Sequence, residues 1–215
     1  MNLASYIDST LLKADCSVAE IELLCQEAIE LEIFSVCVPP YFVPLAIKCL
    51  DNSKIKTSTV IGFPMGYSNS SAKLEEIKKA IDDGAHEFDA VVNLLAIKQM
   101  QKSYLRQEID SMVRILHMRD RKLKIIIEAG LLKAEEIEFI CQIASDQGVD
   151  FIKTSTGFNG PGATVEMVKA IRASIVDEIQ IKASGGISTA AQALTLIEAG
   201  ASRIGTSHAR TILTS

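Results

Sequence analysis

The sequence predicts a (β/α)8 barrel in a single domain of residues 1–215, because three features of the chain favour that fold. Short apolar segments alternate with longer segments of helical period along the whole chain. Several of the apolar segments are apolar almost throughout, which is typical of parallel strands that helices cover. Glycine recurs in a short phrase between a helical segment and the next strand, where it suits the left-handed position that ends a helix.

Eight segments have strand character, and we take them in chain order. The predicted strands are residues 7–12, 34–38, 56–63, 87–93, 124–129, 151–156, 179–184 and 202–206. The apolar runs within them, such as Ile125-Ile126-Ile127, are far shorter than the roughly 18 residues of a membrane span. A doubly wound sheet in a chain of this length normally has fewer strands, so eight favour the closed barrel.

Helical segments separate these strands. They are predicted at residues 18–31, 73–82, 104–118, 134–145, 164–174 and 189–199, with a short last helix in 208–215. In the first, apolar residues recur at i, i+3, i+4 and i+7 from Ile21 to Ala28, and Ser17 with Glu20 forms a capping box before them. Ser188 is the predicted N-cap of the helix that follows the seventh strand.

Composition limits the function classes. Of 215 residues, 48% are hydrophobic, and 22 basic against 27 acidic side chains give a formal net charge of −5. This balance indicates a small-molecule partner rather than nucleic acid or an anionic membrane. The first eight residues have neither the basic start nor the apolar stretch of a signal peptide, so we expect a cytoplasmic protein. Five cysteines without a C-x-x-C pair indicate reduced thiols.

The strongest chemical signal is a lysine inside each of two neighbouring apolar strands, Lys153 in the sixth and Lys182 in the seventh. Burial and the charge of the neighbour both disfavour a protonated amine, so one lysine could serve as a carbonyl-attacking nucleophile. The alternative is that both lysines form ion pairs with carboxylates inside the barrel. Asp89, between apolar residues of the fourth strand, could exchange protons with a lysine or water, or be a satisfied interior carboxylate.

Glycine-bearing strand ends come late in the chain, at residues 156–157, 184–186 and 205–207. The loops after strands 7 and 8 of such barrels often bind phosphate through backbone N–H groups, although a Gly-Gly pair can also simply turn the chain. Cys37 ends the second strand, and without an activating histidine nearby it is better interpreted as a core residue. His86, His117 and His208 lack the spacing of metal ligands, so no metal is expected.

At these phrases the chain resembles the deoxyribose-phosphate aldolases of the short bacterial type over nearly its whole length. The matching phrases lie at residues 7–8, 10–13, 36–38, 59–64 with Gly66, 153–158, 182–187 and 200–207, together with Asp89 in its apolar strand. The two lysine phrases, Lys153-Thr154-Ser155-Thr156-Gly157 and Lys182-Ala183-Ser184-Gly185-Gly186, are the most specific of these.

The resemblance implies a class I aldolase that uses no metal and no cofactor. Such an enzyme reversibly cleaves 2-deoxy-D-ribose 5-phosphate to D-glyceraldehyde 3-phosphate and acetaldehyde in deoxyribose catabolism. Lys153 is then the Schiff-base lysine, Lys182 the lysine that perturbs it, and Asp89 the proton-exchanging carboxylate. The implied substrate-binding residues are Asp8, Thr10, Cys37, Thr156, Gly157, Gly185, Gly186, Gly205 and Ser207, with phosphate on Gly157, Gly185, Gly186 and Ser207. The sequence does not determine the oligomeric state, and a homodimer is one assembly that it allows.

Three positions depart from the family pattern: Ser9, where histidine is common, Pro39, where Tyr or Asn is usual, and Ala129, where Thr is usual. They bear on substrate preference and turnover more than on reaction type. Two alternatives therefore stay open: a Schiff-base barrel that takes another donor, such as a transaldolase-like enzyme, and a catalytically weak barrel that only binds a phosphorylated ligand. We also expect no proton relay through a C-terminal tyrosine, because the sequence ends at Ser215.

Overall fold

Eight parallel strands close into a barrel in the computed structural model, which describes residues 2–214. The strands are β1 Ile7–Thr10, β2 Ser35–Val38, β3 Lys56–Ile61, β4 Glu87–Val91, β5 Lys122–Ile126, β6 Phe151–Lys153, β7 Gln180–Ser184 and β8 Arg203–Thr206. They follow one another in chain order around the barrel, and β8 pairs with β1 to close it. The predicted (β/α)8 barrel is confirmed.

Helices surround the barrel on its outer side. They are α1 Val18–Glu30, α2 Val43–Cys49, α3 Ser70–Asp82, α4 Leu94–Lys98, α5 Lys102–His117, α6 Ala134–Gln147, α7 Val165–Ser174, α8 Ala190–Glu198 and α9 Ala209–Thr214, with single 3-10 turns at Leu3–Tyr6, Pro40–Phe42 and Ala129–Leu131. The sequence did not predict α2 and α4, because neither is long enough for its apolar period to repeat. No helix among the described residues is long and apolar enough to cross a membrane.

The helix caps confirm one expectation and correct another. Ser17 and Glu20 form the predicted capping box, with the Glu20 carboxylate accepting from the Ser17 N–H at 2.8 Å. The prediction of Ser188 as the N-cap of α8 is wrong. Thr189 has the extended backbone of an N-cap, and its hydroxyl accepts from the Gln192 N–H at 3.2 Å. Ser188 lies one residue too early for its hydroxyl to reach that N–H group.

The apolar core lies between the strands and the helices, because successive side chains of a strand point to opposite faces of the sheet. In β5, for example, Leu123 and Ile125 belong to the buried apolar core. Lys124, between them, is equally buried and faces the barrel interior, where it meets side chains of other strands. The apolar layer thus lies outside the strands, and charged side chains occupy the space that the strands enclose.

Candidate active site

Seven charged side chains from six strands meet in the barrel interior. They are three carboxylates, Asp8, Glu87 and Asp89, and four cations, Lys124, Lys153, Lys182 and Arg203, none more than 6% exposed. The strand register brings them to neighbouring positions, because Asp89 pairs with Lys124 and Lys153 pairs with Lys182. Their charges sum to +1 when all are ionised, so the interior becomes neutral when one lysine is a free amine. Burial of charge favours that balance.

Asp89 lies at the centre of this network. Its Oδ2 atom accepts from the Lys153 Nζ at 2.9 Å and from the Lys182 Nζ at 2.8 Å. Its Oδ1 atom accepts from the Lys124 Nζ at 2.8 Å and from the Ser58 hydroxyl at 3.2 Å. Burial alone raises the pKa of Asp89, but the three lysine charges outweigh it and hold that pKa well below its usual range. Asp89 is therefore an ionised carboxylate shared by three amines.

Lys182 has two carboxylate partners, Asp8 at 2.5 Å and Asp89 at 2.8 Å. Burial lowers the pKa of Lys182, but the charges of these two carboxylates outweigh it and raise the pKa above its usual value. Lys182 is therefore a cation throughout the neutral range. Lys153, by contrast, contacts Asp89 alone among the described carboxylates. Of the two lysines that the sequence singled out, Lys153 has the fewer anions to hold its proton.

Asp8, the second carboxylate partner of Lys182, is held by two further side chains. It accepts from the Ser35 hydroxyl at 2.5 Å and from the Arg203 guanidinium at 2.8 Å. Burial raises the pKa of Asp8, yet Lys182 and Arg203 outweigh it, so the pKa is lower than usual. The carboxylate is thereby fixed as the counter-ion of Lys182.

Three members of the network, Lys124, Glu87 and Arg203, were not predicted from the sequence. The Lys124 Nζ lies 2.6 Å from the Glu87 carboxylate, and Arg203 lies 3.3 Å from the same carboxylate with its guanidinium 3.6 Å from the centre of the Phe34 ring. Lys124 lies between Leu123 and Ile125 of an apolar strand, so the pattern that pointed to Lys153 also marks it, whereas Glu87 and Arg203 are the first residues of β4 and β8 and have no such pattern.

A cavity of about 230 Å³ opens above Lys153 at the C-terminal ends of the strands. Of the three interior lysines, only Lys153 lines it among the described residues. The predicted substrate-binding residues that also line it are Thr10, Thr156, Gly157, Gly185, Gly186, Gly205 and Ser207. Lys13 and His208, both exposed, stand at its rim. The cavity therefore joins an amine at its floor to the glycine-bearing strand ends on its wall.

Two of those strand ends have backbone suited to an anion. Gly185 and Gly186 have φ of +91° and +73°, values that side-chain-bearing residues rarely adopt. The N–H groups of Gly186 and Ser207 have no hydrogen-bond partner within residues 2–214, and both residues line the cavity. Unpaired N–H groups at such a position can donate to a phosphate oxygen.

Gly205 has a different structural role from these two glycines. A Cβ atom at Gly205 would stand 3.0 Å from the Cε atom of Lys182, so the missing side chain makes room for that lysine.

Asp8 and Cys37, which the resemblance placed among the substrate-binding residues, do not line this cavity. Both are fully buried, Asp8 in the ion-pair network and Cys37 beside Thr10 in the neighbouring strand. Burial raises the pKa of the Cys37 thiol, and the Asp89 charge raises it further, so the thiol is neutral. Their contact with substrate stays a prediction.

None of the three residues that depart from the family pattern belongs to the ion-pair network. Pro39 lines a second cavity of about 260 Å³, which shares Leu12 with the first. Ser9 and Ala129 are buried. Among residues 2–214, no group of three histidine, cysteine or carboxylate side chains is arranged to hold a metal ion.

Comparison with known proteins agrees with this geometry. Residues 3–215 match the DeoC/LacD family aldolase profile. The chain belongs to the DeoC/LacD aldolase family. This aldolase is 45% identical over 209 residues to the deoxyribose-phosphate aldolase of Thermococcus gammatolerans, covering 96% of this chain and 93% of the relative. It is 42% identical to that of Bdellovibrio bacteriovorus, over 99% and 96% of the two chains. The family resemblance of the sequence is confirmed.

Solved structures extend the similarity to three dimensions. The structure described as QR15, an aldolase, superposes on this aldolase with a TM-score of 0.94 at 41% identity, over 100% of this chain and 95% of that one. The deoxyribose phosphate aldolase of Aeropyrum pernix, described as a tetramer, gives 0.93 at 29% identity over 99% and 90% of the chains. Both similarities span the entire barrel of this aldolase.

Proposed function

We propose that this aldolase reversibly cleaves 2-deoxy-D-ribose 5-phosphate to D-glyceraldehyde 3-phosphate and acetaldehyde, with Lys153 as the Schiff-base nucleophile. One observation carries the choice of nucleophile: Lys153 lines the cavity and shares the Asp89 Oδ2 atom with the cationic Lys182. The names of the relatives support the substrate. The glycine-bearing wall of the cavity supports a phosphorylated one.

The first step is attack of the neutral Lys153 amine on the C1 aldehyde of the open-chain sugar. Protonation of the carbinolamine hydroxyl by solvent and loss of water give an iminium ion, which accepts the electron pair of the C2–C3 bond as that bond breaks. Because the interior carries one cation more than it has carboxylates, a neutral Lys153 leaves the network balanced.

Proton transfer falls to Asp89 and Lys182. As the C2–C3 bond breaks, the proton of the C3 hydroxyl leaves to Asp89 through a water molecule, and D-glyceraldehyde 3-phosphate is released. Asp89 returns that proton through the water molecule to C2 of the enamine left on Lys153, and hydrolysis of the resulting iminium ion releases acetaldehyde and the free amine. Lys182 stays cationic, which keeps Asp89 ionised and oriented between the two amines.

The phosphate is expected at Gly157, Gly185, Gly186 and Ser207, with the exposed Lys13 and His208 at the rim. Thr10, Thr156 and Gly205 line the same cavity and are proposed contacts of the sugar. Asp8 acts as the counter-ion of Lys182, and contact of Asp8 and of the neutral Cys37 thiol with the sugar remains part of the proposal. No metal or cofactor takes part in this proposal.

The proposal also includes the domain organisation, the cellular compartment and the assembly of the enzyme. Residues 1–215 act as one domain, which the pairing of β1 with β8 supports, because this pairing joins the first strand to the last. The free thiols of the five cysteines and a phosphorylated substrate fit the cytoplasm. A homodimer is the proposed assembly, and sedimentation would distinguish it from the tetramer described for the Aeropyrum pernix relative.

Borohydride trapping with acetaldehyde, followed by peptide mapping, tests the proposal, because it identifies nucleophile and donor together. We expect the reduced adduct on Lys153 and no adduct in Lys153→Met. Adduct on Lys182 would reverse the assignment of the two lysines. Trapping with dihydroxyacetone but not with acetaldehyde would favour a different donor. Stabilisation by deoxyribose 5-phosphate without any turnover would favour a barrel that only binds the ligand.

A further inference from the structure

Glu128 is a buried carboxylate that the mechanism above does not use. It follows β5, is 0% exposed, and has φ of +49° and ψ of +55°, a left-handed conformation that side-chain-bearing residues rarely adopt. The next residue fixes it in place, because the Ala129 N–H donates to the Thr154 carbonyl at 2.8 Å. Glu128 is thus attached to the end of the strand that carries Lys153.

Among residues 2–214, the Glu128 carboxylate accepts hydrogen bonds from one residue, Thr156. The Thr156 N–H donates to its two oxygens at 3.1 and 3.3 Å, and the Thr156 hydroxyl contacts Oε2. Within residues 2–214, no lysine or arginine forms a salt bridge with Glu128. The Oε2 atom accepts from the Thr156 hydroxyl as well as from its N–H group, so the hydrogen of that hydroxyl points to Glu128.

These hydrogen bonds determine which part of the Thr156 hydroxyl is left to bind a ligand. A hydroxyl has one hydrogen and two lone pairs. The hydrogen is held by Glu128, and one lone pair accepts from the Phe158 N–H at 3.1 Å. Thr156 lines the catalytic cavity, so the remaining lone pair is the part available to substrate. Thr156 therefore presents an acceptor and no donor.

We propose that Glu128 is a positioning residue that fixes the direction of the Thr156 hydroxyl, so that the cavity selects aldehydes with a hydroxyl able to donate to Thr156. The inference rests on the proposed function, in which the acceptor aldehyde, D-glyceraldehyde 3-phosphate, carries one hydroxyl beside its carbonyl. A ligand with an acceptor-only group there would set two lone pairs against each other. Sites built to pair a substrate hydroxyl reject such analogues strongly.

The test compares two acceptors in the synthetic direction with acetaldehyde as donor: glyceraldehyde 3-phosphate and its 2-fluoro analogue, in which an acceptor-only fluorine replaces the hydroxyl. The measurement is the ratio of their kcat/KM values. Intrinsic reactivity differs between the acceptors, but it cancels when the ratio is compared between variants. Borohydride trapping of acetaldehyde, which has no hydroxyl, is measured in parallel.

Glu128→Gln is the decisive variant. The amide oxygen can accept from the Thr156 N–H while the amide NH2 donates to the hydroxyl oxygen, which frees the hydroxyl hydrogen to turn to the cavity. We expect the hydroxyl-to-fluoro ratio to fall about tenfold, mainly through KM, with acetaldehyde trapping unchanged. Glu128→Asp, still acceptor-only, should keep most of the ratio.

Matched variants separate this role from a structural one. Thr156→Val should abolish the preference and Thr156→Ser should keep it. Glu108→Gln, which alters an equally buried carboxylate paired with Lys73 outside the barrel interior, should leave the ratio unchanged. If Glu128→Gln does not fold, retention of the preference in Thr156→Val is sufficient to refute the proposal.

Two further results would overturn the inference: an unchanged ratio in folded Glu128→Gln, or equal losses for both acceptors and for acetaldehyde trapping, which would indicate structural damage alone. Failure of the unmodified enzyme to trap acetaldehyde on Lys153 would instead refute the proposed function. The two failures are thereby distinguishable.

Discussion

Replacing Lys182 with methionine should make Lys153 harder to deprotonate. Both nitrogens bind the same oxygen of Asp89, at 2.8 and 2.9 Å, and their separation is therefore at most about 5.7 Å. At an effective dielectric constant of about 20, two unit charges at that distance repel by about 3 kcal/mol, equivalent to about two pH units. The substitution removes this repulsion between the two amines.

The expected result is an upward shift of about two units in the midpoint of the pH profile for acetaldehyde trapping. Below that midpoint the free amine is scarcer by about 100-fold, so trapping at neutral pH falls by that factor and recovers as pH rises. Asp8 and Asp89 also lose a cation, which strengthens their pull on the Lys153 proton and acts in the same direction.

The assay is the rate of borohydride trapping as a function of pH, with the adduct mapped to Lys153. Lys73→Met is the matched control, because Lys73 is equally buried and paired with Glu108 at 2.8 Å, away from Lys153. Breaking either pair should cost several kcal/mol of stability, about 3–5 for a buried ion pair. Only Lys182→Met should move the pH profile. An unchanged profile in a folded variant would show that Lys182 does not tune the nucleophile.

Three further predictions concern the phosphate site, the buried carboxylates and metal independence. Ser207→Glu should raise the KM for deoxyribose 5-phosphate at least about tenfold and that for deoxyribose little, because a carboxylate would repel the phosphate; equal effects on both sugars would place the phosphate elsewhere. Since the folded chain holds the pKa values of Asp8 and Asp89 below their usual range, their contribution to stability is complete above about pH 5 and is lost as pH falls towards 2. Asp8→Asn should flatten this acid-side loss in urea unfolding, whereas an equally steep loss would assign it to other groups. Dialysis against a chelator should leave turnover unchanged; a loss that zinc restores would refute the class I mechanism.

Much of the fold could be predicted from local patterns. The alternation of apolar segments with helical periods located all eight strands, although the predicted strands extend beyond the paired residues, as where 151–156 reduces to Phe151–Lys153. Strand pairing ends where the chain leaves the barrel wall, and that point depends on neighbouring strands rather than on residue type. The short helices α2 and α4, and Thr189 rather than Ser188 as a cap, depend on local geometry that hydrophobic period does not report.

The sequence by itself determined the barrel, the family and the candidate lysines, because each of these rests on residue order along one or two elements. Only the tertiary structure decided which charges meet. Arg203 and Asp8 are 195 residues apart in the chain, yet they bond at 2.8 Å because β8 pairs with β1. Burial, register and charge then act together: Lys182 receives two carboxylates and Lys153 one, and only Lys153 of these two lysines lines the cavity. That difference arises from barrel closure, which brings distant strands together and which neither lysine phrase contains.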